Sequence, residues 1–301
     1  MPHLLMKSRP DLRAPLLVTA FAGWNDAGEA ATSAVRFVRR RWRTEPFAEL
    51  DPEEFYDFTQ SRPRVRLDRS GQRLVEWPQN IFSAQRIEGA EHDVILFEGI
   101  EPHLNWRAYV ETIIEVCRDL NVAGVITLGA LLAEVAHTRP VRVTGSSPDP
   151  FMQALLNLEP AVSRYEGPTG IVGILNQAVR AAGIPTASMW ANIPYYLNAS
   201  PNPKGSLAIL ERVNPMLKLG LGLHDLEVFA ARFDAQVAAE IAKDPETLAL
   251  SRQIEGRQDA AGPEGEVAIP QESADSELPD GASMVEDLER YLREQREGGS
   301  N

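Results

Sequence analysis

Three short stretches hold the side chains that could do chemistry. In Gly23-Trp24-Asn25-Asp26-Ala27-Gly28-Glu29, two carboxylates stand three residues apart. Such a pair can move protons or hold a hard cation such as magnesium. The same spacing also suits a helix start, where Asp26 accepts the Glu29 amide and Glu29 reaches back toward the cap. Glu98, Glu101 and His103 form a second group, able to complete a carboxylate–imidazole site with the first or to cap a loop stiffened by Pro102. The third is His137-Thr138-Arg139, an imidazole, a hydroxyl and a guanidinium on one short extended piece before Pro140. Arg139 would suit a carboxylate or a phosphate, and equally a subunit interface. Thr169, in Gly167-Pro-Thr-Gly170, precedes a helix whose N-terminus is a ready anion site. No phosphate loop, dinucleotide fingerprint or G-x-S-x-G elbow is present, so no catalytic group, metal or cofactor is assigned.

The elements that must position these groups follow from hydrophobic periodicity. Leu16 to Phe21 reads as a buried strand, Gly23 ends it, and apolar residues at 27, 31, 34, 35, 38 and 42 mark a helix. Trp24, Asn25 and Asp26 are thus presented at the carboxyl end of a strand, where ligands bind in open α/β sheets. Phe47 to Arg86 reads as short extended pieces (55–58, 65–67, 74–75, 81–82) on an edge of the main sheet, with Ser70-Gly71 as a hairpin turn. Alternation then resumes: strand 94–97, a helix from Asn105 to Leu120, and strands 122–128 and 141–143. A helix from Ile171 to Ala182, a strand 184–191 and a helix from Asn202 to about Leu219 follow. This pattern predicts an α/β fold whose mostly parallel sheet is covered on both faces. Helices are expected from Asp225 to Ala242 and from Asp244 to about Ile254.

Composition sets outer bounds. The chain has 301 residues, 44% of them hydrophobic, and a formal net charge of -13. Residues 1–222 are expected as a core domain, 223–256 as a helical appendage, 257–280 as an acidic linker, and 281–301 as a terminal helix and tail. That last helix spans Met284 to Gln295. From Asp244 onward fifteen acidic and five basic residues concentrate the acidity in the tail, and such a chain is a poor partner for nucleic acid. Its one cysteine, Cys117, lies on an apolar helix face and reads as a buried thiol. The first fifteen residues do not read as a signal peptide, and no stretch of about 18 apolar residues suggests a membrane span. A cytoplasmic protein is expected.

Taken together, GWNDAGEAA, LFEGIEP, HTRPVRVTGSS, YEGPTGI and IPYYLNASPNPKG resemble the proteasome assembly chaperone 2 family in its actinobacterial form, over roughly Leu16 to Leu219. The resemblance implies a three-layer α/β/α sandwich of phosphorylase/hydrolase type and self-association as a trimer, with no established activity for bacterial members. Eukaryotic and archaeal relatives dock on the proteasome by a C-terminal hydrophobic-Tyr-any tripeptide, whereas this sequence ends Gly298-Gly-Ser-Asn301. Two functions remain in view. One is a non-enzymatic, chaperone-like oligomer that meets a partner through its C-terminal helix. The other is a small-molecule enzyme using a cleft of Asn25, Asp26, Glu98, His137 and Arg139. Self-association would draw on Trp24, Trp106, Arg139, Trp190, Tyr195 and Tyr196. Deleting the chain from Arg257 onward is expected to leave stability nearly unchanged.

Overall fold

The computed structural model describes residues 3–158, 166–197 and 199–262. The helix expected from Met284 to Gln295 and most of the expected linker lie outside them. In chain order the elements are β1 (Leu4–Met6), β2 (Leu16–Ala22), α1 (Ala30–Trp42), β3 (Pro46–Leu50), β4 (Arg64–Leu67), β5 (Arg73–Glu76), β6 (Ile81–Gln85) and β7 (Val94–Ile100). Then come α2 (Trp106–Asp119), β8 (Gly124–Ala133), β9 (Val143–Ser146), α3 (Pro150–Leu156), α4 (Ile171–Ala181), β10 (Thr186–Pro194), α5 (Pro203–Met216), α6 (His224–Ile241) and α7 (Pro245–Ala261).

Eight strands form one sheet in the order β1-β3-β6-β7-β2-β8-β10-β9. The central four, β7-β2-β8-β10, are parallel, and both flanks are antiparallel. Continuous apolar runs in the centre are explained by the two apolar layers they serve. Leu16, Val18 and Ala20 of β2 face the layer built with α1, α3, α5 and α6. Leu17 and Phe21 face the layer built with α2 and α4. The result is an α/β/α sandwich, extended by α6 and α7.

Several local expectations change. Residues 55–58 are no strand: after the turn at Pro52–Glu54, Phe55 and Tyr56 are buried side chains of a loop. The strand expected at 141–143 runs instead from Val143 to Ser146 and pairs antiparallel with β10. Its start is set past Pro140, which has no amide to donate to a ladder. Leu4–Met6, unread in the sequence, forms a three-residue edge strand. Asn105 does not cap α2 with its side chain; it takes a left-handed conformation and donates to the Glu54 carbonyl at 2.8 Å. Helix α7 passes Ile254 and continues through Ala261, into the stretch expected as a linker.

Candidate functional site

Asp26 sits at the end of β2 and is almost wholly buried. Its carboxylate accepts from the amides of Ala31 at 2.7 Å and Thr32 at 3.0 Å, and from the Thr32 hydroxyl. It therefore caps α1, but one turn further along than the Asp26–Glu29 spacing suggests. The reason is a short 3-10 turn at Ala27–Glu29, in which Gly28 takes φ 62° and Glu29 φ 50° before the helix begins. Gly28 allows that bend without a Cβ penalty. Burial holds the Asp26 carboxyl above the usual carboxylate range, against the pull of the three hydrogen bonds. Glu29 makes no capping box; it accepts from the Ser200 hydroxyl at 2.8 Å and lies 3.9 Å from Arg36.

The N-terminus of α4 is already filled by the protein itself. Glu101, just past β7, accepts from the Ile171 amide at 2.8 Å and from the Trp24 amide at 3.3 Å. Asn25 offers its side-chain oxygen to the Val172 amide at 3.4 Å. A carboxylate here meets the unsatisfied amides and the positive end of the helix dipole. Gly170 makes the approach feasible: a Cβ on it would lie 2.1 Å from the Asn25 oxygen and 2.7 Å from a Glu101 oxygen. Thr169, expected to greet a ligand, instead lies over the first turn of the helix, where a Cβ on Gly173 would be 2.1 Å from its hydroxyl.

The remaining acidic and imidazole groups go elsewhere. Glu98 is gripped by Arg36 at 2.8 Å and Arg39 at 3.1 Å from α1. His103 accepts the Asp57 amide at 3.0 Å and packs edge-on to Tyr56. The end of β7 is fixed from below by buried Asn80, whose oxygen takes the Ile100 amide at 2.9 Å and the Tyr109 hydroxyl at 2.7 Å. Burial pushes the Tyr109 phenol far above its ordinary value, so it stays a donor. Among the described residues, no three His, Cys, Asp or Glu side chains stand together as a metal site would need.

His137, Thr138 and Arg139 lie beyond β8, beneath α7. The His137 imidazole is 2.9 Å from the Tyr196 hydroxyl and 3.1 Å from the Ser251 hydroxyl. Burial, then the Lys204 ammonium, hold it below the ordinary imidazole value. Thr138 donates to Glu255 at 3.0 Å, and Arg139 pairs with Glu255 at 3.1 Å and Asp259 at 2.6 Å. The crevice beside them has about 10 Å³ of free space, room for about one water. The five groups of the expected cleft are thus split between a helix cap, an arginine clamp, an amide cradle and a helix dock. Arg36, Arg39 and Ser251 were not singled out from the sequence, and Tyr196 was noted there for self-association, not as a partner of His137. Only Arg36 and Arg39, three apart on a helix, carried a local signal for their shared carboxylate.

What the strand ends do present is apolar. Trp24 after β2 is 62% exposed, Leu104 after β7 51%, and Leu132 near the end of β8 46%. These three strands are neighbours in the sheet. No helix among the described residues is long and apolar enough to cross a membrane.

A family model of the PAC2 family matches residues 20–241. A crystal structure of a PAC2 family protein from Streptomyces avermitilis is 42% identical, with a TM-score of 0.70, over 78% of this chain and 99% of that one. The proteasome-assembly chaperone homologue of Mycobacterium tuberculosis is 39% identical, with a TM-score of 0.68, over 78% and 99% of the two chains. PbaB of Pyrococcus furiosus, an archaeal proteasome activator, is 17% identical at a TM-score of 0.63 over 79% and 99%, and shares the fold. No match was found among curated proteins. The chain belongs to the PAC2 family.

Proposed function

We propose that this protein is a chaperone-like, non-enzymatic interaction protein that works as a homo-oligomer, a trimer as the family resemblance implies. One observation carries the reading: at the carboxyl ends of three adjacent strands the polar groups are used up internally, while Trp24, Leu104 and Leu132 face solvent. Enzymes concentrate convergent titratable groups around a pocket at this edge. An apolar rim on a rigid, internally satisfied base suits binding of another protein chain. Its only thiol is buried and has no second cysteine to pair with, which suits a reducing compartment such as the cytoplasm.

The names of the Mycobacterium and Pyrococcus neighbours point to proteasome subunits as the client. The test mixes the purified chain with proteasome α subunits during assembly and follows complexes by native gel and mass. We expect a complex with free subunits that Trp24→Asp combined with Leu132→Asp abolishes, while Glu101→Gln leaves it intact. Absence of a complex, or one indifferent to the apolar rim, overturns the reading.

A further inference from the structure

Helix α7 is joined to the body as no other helix of the described fold is. Helices α1 to α6 each give side chains to one of the two apolar layers, and residues 245–260 give none. Of those residues only Ser251 and Ile254 are buried. Its inner side is Ser251, Ile254, Glu255, Gln258 and Asp259, the i, i+3, i+4, i+7, i+8 stripe of one helix face. A docked helix ordinarily carries an apolar stripe there, whereas this one carries Ile254 and four polar side chains. Its middle is weakened as well. Nothing lies within 4 Å of where a Cβ on Gly256 would stand, so no packing calls for glycine at that position. Glycine inside a helix leaves it less stable than alanine would. The PAC2 match ends at Ile241, the last residue of α6, so the loop 134–139 lies inside the matched residues and α7 outside them.

We infer that α7 is a releasable strap over a helix-binding seat, the loop 134–139, and that a helix of another protein chain takes the seat when the strap lifts. What the seat now holds defines that helix: two carboxylates four residues apart, with a side-chain amide just before the second. Arg139 spans Glu255 at 3.1 Å and Asp259 at 2.6 Å. Thr138 donates to Glu255 at 3.0 Å, and the Ala136 amide donates to Gln258 at 2.7 Å. In each of these the seat donates and the helix accepts, so the seat reads a pattern of acceptors. Only Arg257 and Glu134, at the flank, pair the other way round, at 2.9 Å. Part-exposed contacts of this kind select a partner but are individually weak, because water meets the same groups once they part. A helix held by them, with no share in either layer, lifts without opening the core. The seat starts at Glu134, two residues past exposed Leu132, so an incoming helix lands next to the apolar rim. The inference rests on the interaction role proposed above and adds a second contact, guarded by the chain itself.

The test uses the full chain and, as probe, a fluorescein-labelled peptide of residues 244–262 with blocked ends. Amide exchange read by mass spectrometry asks whether the strap lifts. After correction for intrinsic rates, we expect α7 to exchange roughly tenfold or more faster than β8. Gly256→Ala should slow α7 about fourfold and leave β8 unmoved. Fluorescence anisotropy then asks whether the seat is a site. In wild type the tethered helix competes at an effective concentration of about millimolar, so the peptide binds weakly. Glu255→Arg combined with Asp259→Arg sets like charges against Arg139 and lifts the strap. That chain should bind the peptide roughly tenfold or more tightly than wild type does, and adding Arg139→Ala should remove the gain. Circular dichroism melts check folding, and Gln258→Ala with Asp259→Ala replaces the double reversal if that chain is not folded. Protection of α7 equal to that of β8 overturns the strap. A lifted strap that gives no gain in peptide binding, or a gain that survives Arg139→Ala, overturns the seat. Neither result bears on the complex with proteasome subunits, so the proposed function stands or falls by its own test.

Discussion

Asp26 was legible as a helix cap from its place after a strand, but its partners were not, because they depend on a backbone bend at Gly28 that no spacing rule encodes. The geometry sharpens what substitution should do. Both carboxylate oxygens accept, so Asp26→Asn turns one acceptor into an amide facing a donor. We expect it to cost ~1–3 kcal/mol, the price of a buried polar group left unpaired. Asp26→Ala should exceed the ~0.5–2 kcal/mol of an ordinary cap. Urea denaturation measures both. The pH dependence has a definite sign. The carboxyl titrates higher folded than unfolded, so its contribution is full below the unfolded value of about 3.9 and fades as pH rises through the folded one. The advantage of wild type over Asp26→Asn should therefore grow on acidification, and a gap that shrinks would refute the burial argument. Gly170→Ala is a second test. Its methyl group would displace the Asn25 and Glu101 oxygens from the α4 amides, so we expect a loss of ~1–3 kcal/mol. Pairing of Glu101 with Ile171 spans 70 residues of chain, which is why a glutamate and a Gly-Pro-Thr-Gly turn could each be noticed in sequence without their meeting being read.

Among the elements, strands and helices with strong periodicity were readable, and the hairpin at Ser70-Gly71 was too. The end of α7 was not, because its polar sequence has no apolar stripe to follow and its partners lie on the loop after β8. Gln258 accepts the Ala136 amide at 2.7 Å, and Arg257 meets Glu134 at 2.9 Å. Cutting at Arg257 therefore removes part of a docked helix. Relative to a chain ending at Gly262, we expect the shorter chain to lose ~1–3 kcal/mol, mostly from the Ala136 amide, since exposed ion pairs contribute ~0–1 kcal/mol each. Equal melting temperatures would show the dock to be incidental. His137 adds a pH response. Held low by burial, it contributes stability above the unfolded value of about 6.5, lost as pH falls through its folded value. Protonation would place a cation beside Lys204, opposed by Asp234 and Glu255. Amide exchange in α7, corrected for intrinsic rates, should accelerate between pH 7 and 5 in wild type and less so in His137→Gln.

At the scale of the molecule, alternation of strand and helix announced a sheet covered on both faces, because burial on two faces leaves so plain a trace in sequence, and the family resemblance supplied the α/β/α sandwich. The antiparallel flanks were harder, since short edge strands carry little apolar signal. One sheet feeds both layers, alternate residues of β2 and β8 serving opposite sides, so the two layers cannot fail separately. Ile126→Ala in one and Ile113→Ala in the other should each cost ~2–5 kcal/mol and shift the same single unfolding transition. Two separable transitions would mean that the layers are independent units. Cys117, finally, is the chain's one cysteine, buried with its thiol pushed up to about 12. At pH 8 only about one molecule in ten thousand would carry the reactive thiolate. Toward maleimides and spin labels the native protein is therefore a blank. A cysteine placed at Leu67, on the exposed β4–β5 hairpin, would be the sole labelled position, and its fluorescence or mobility would report directly whether that hairpin is free or covered.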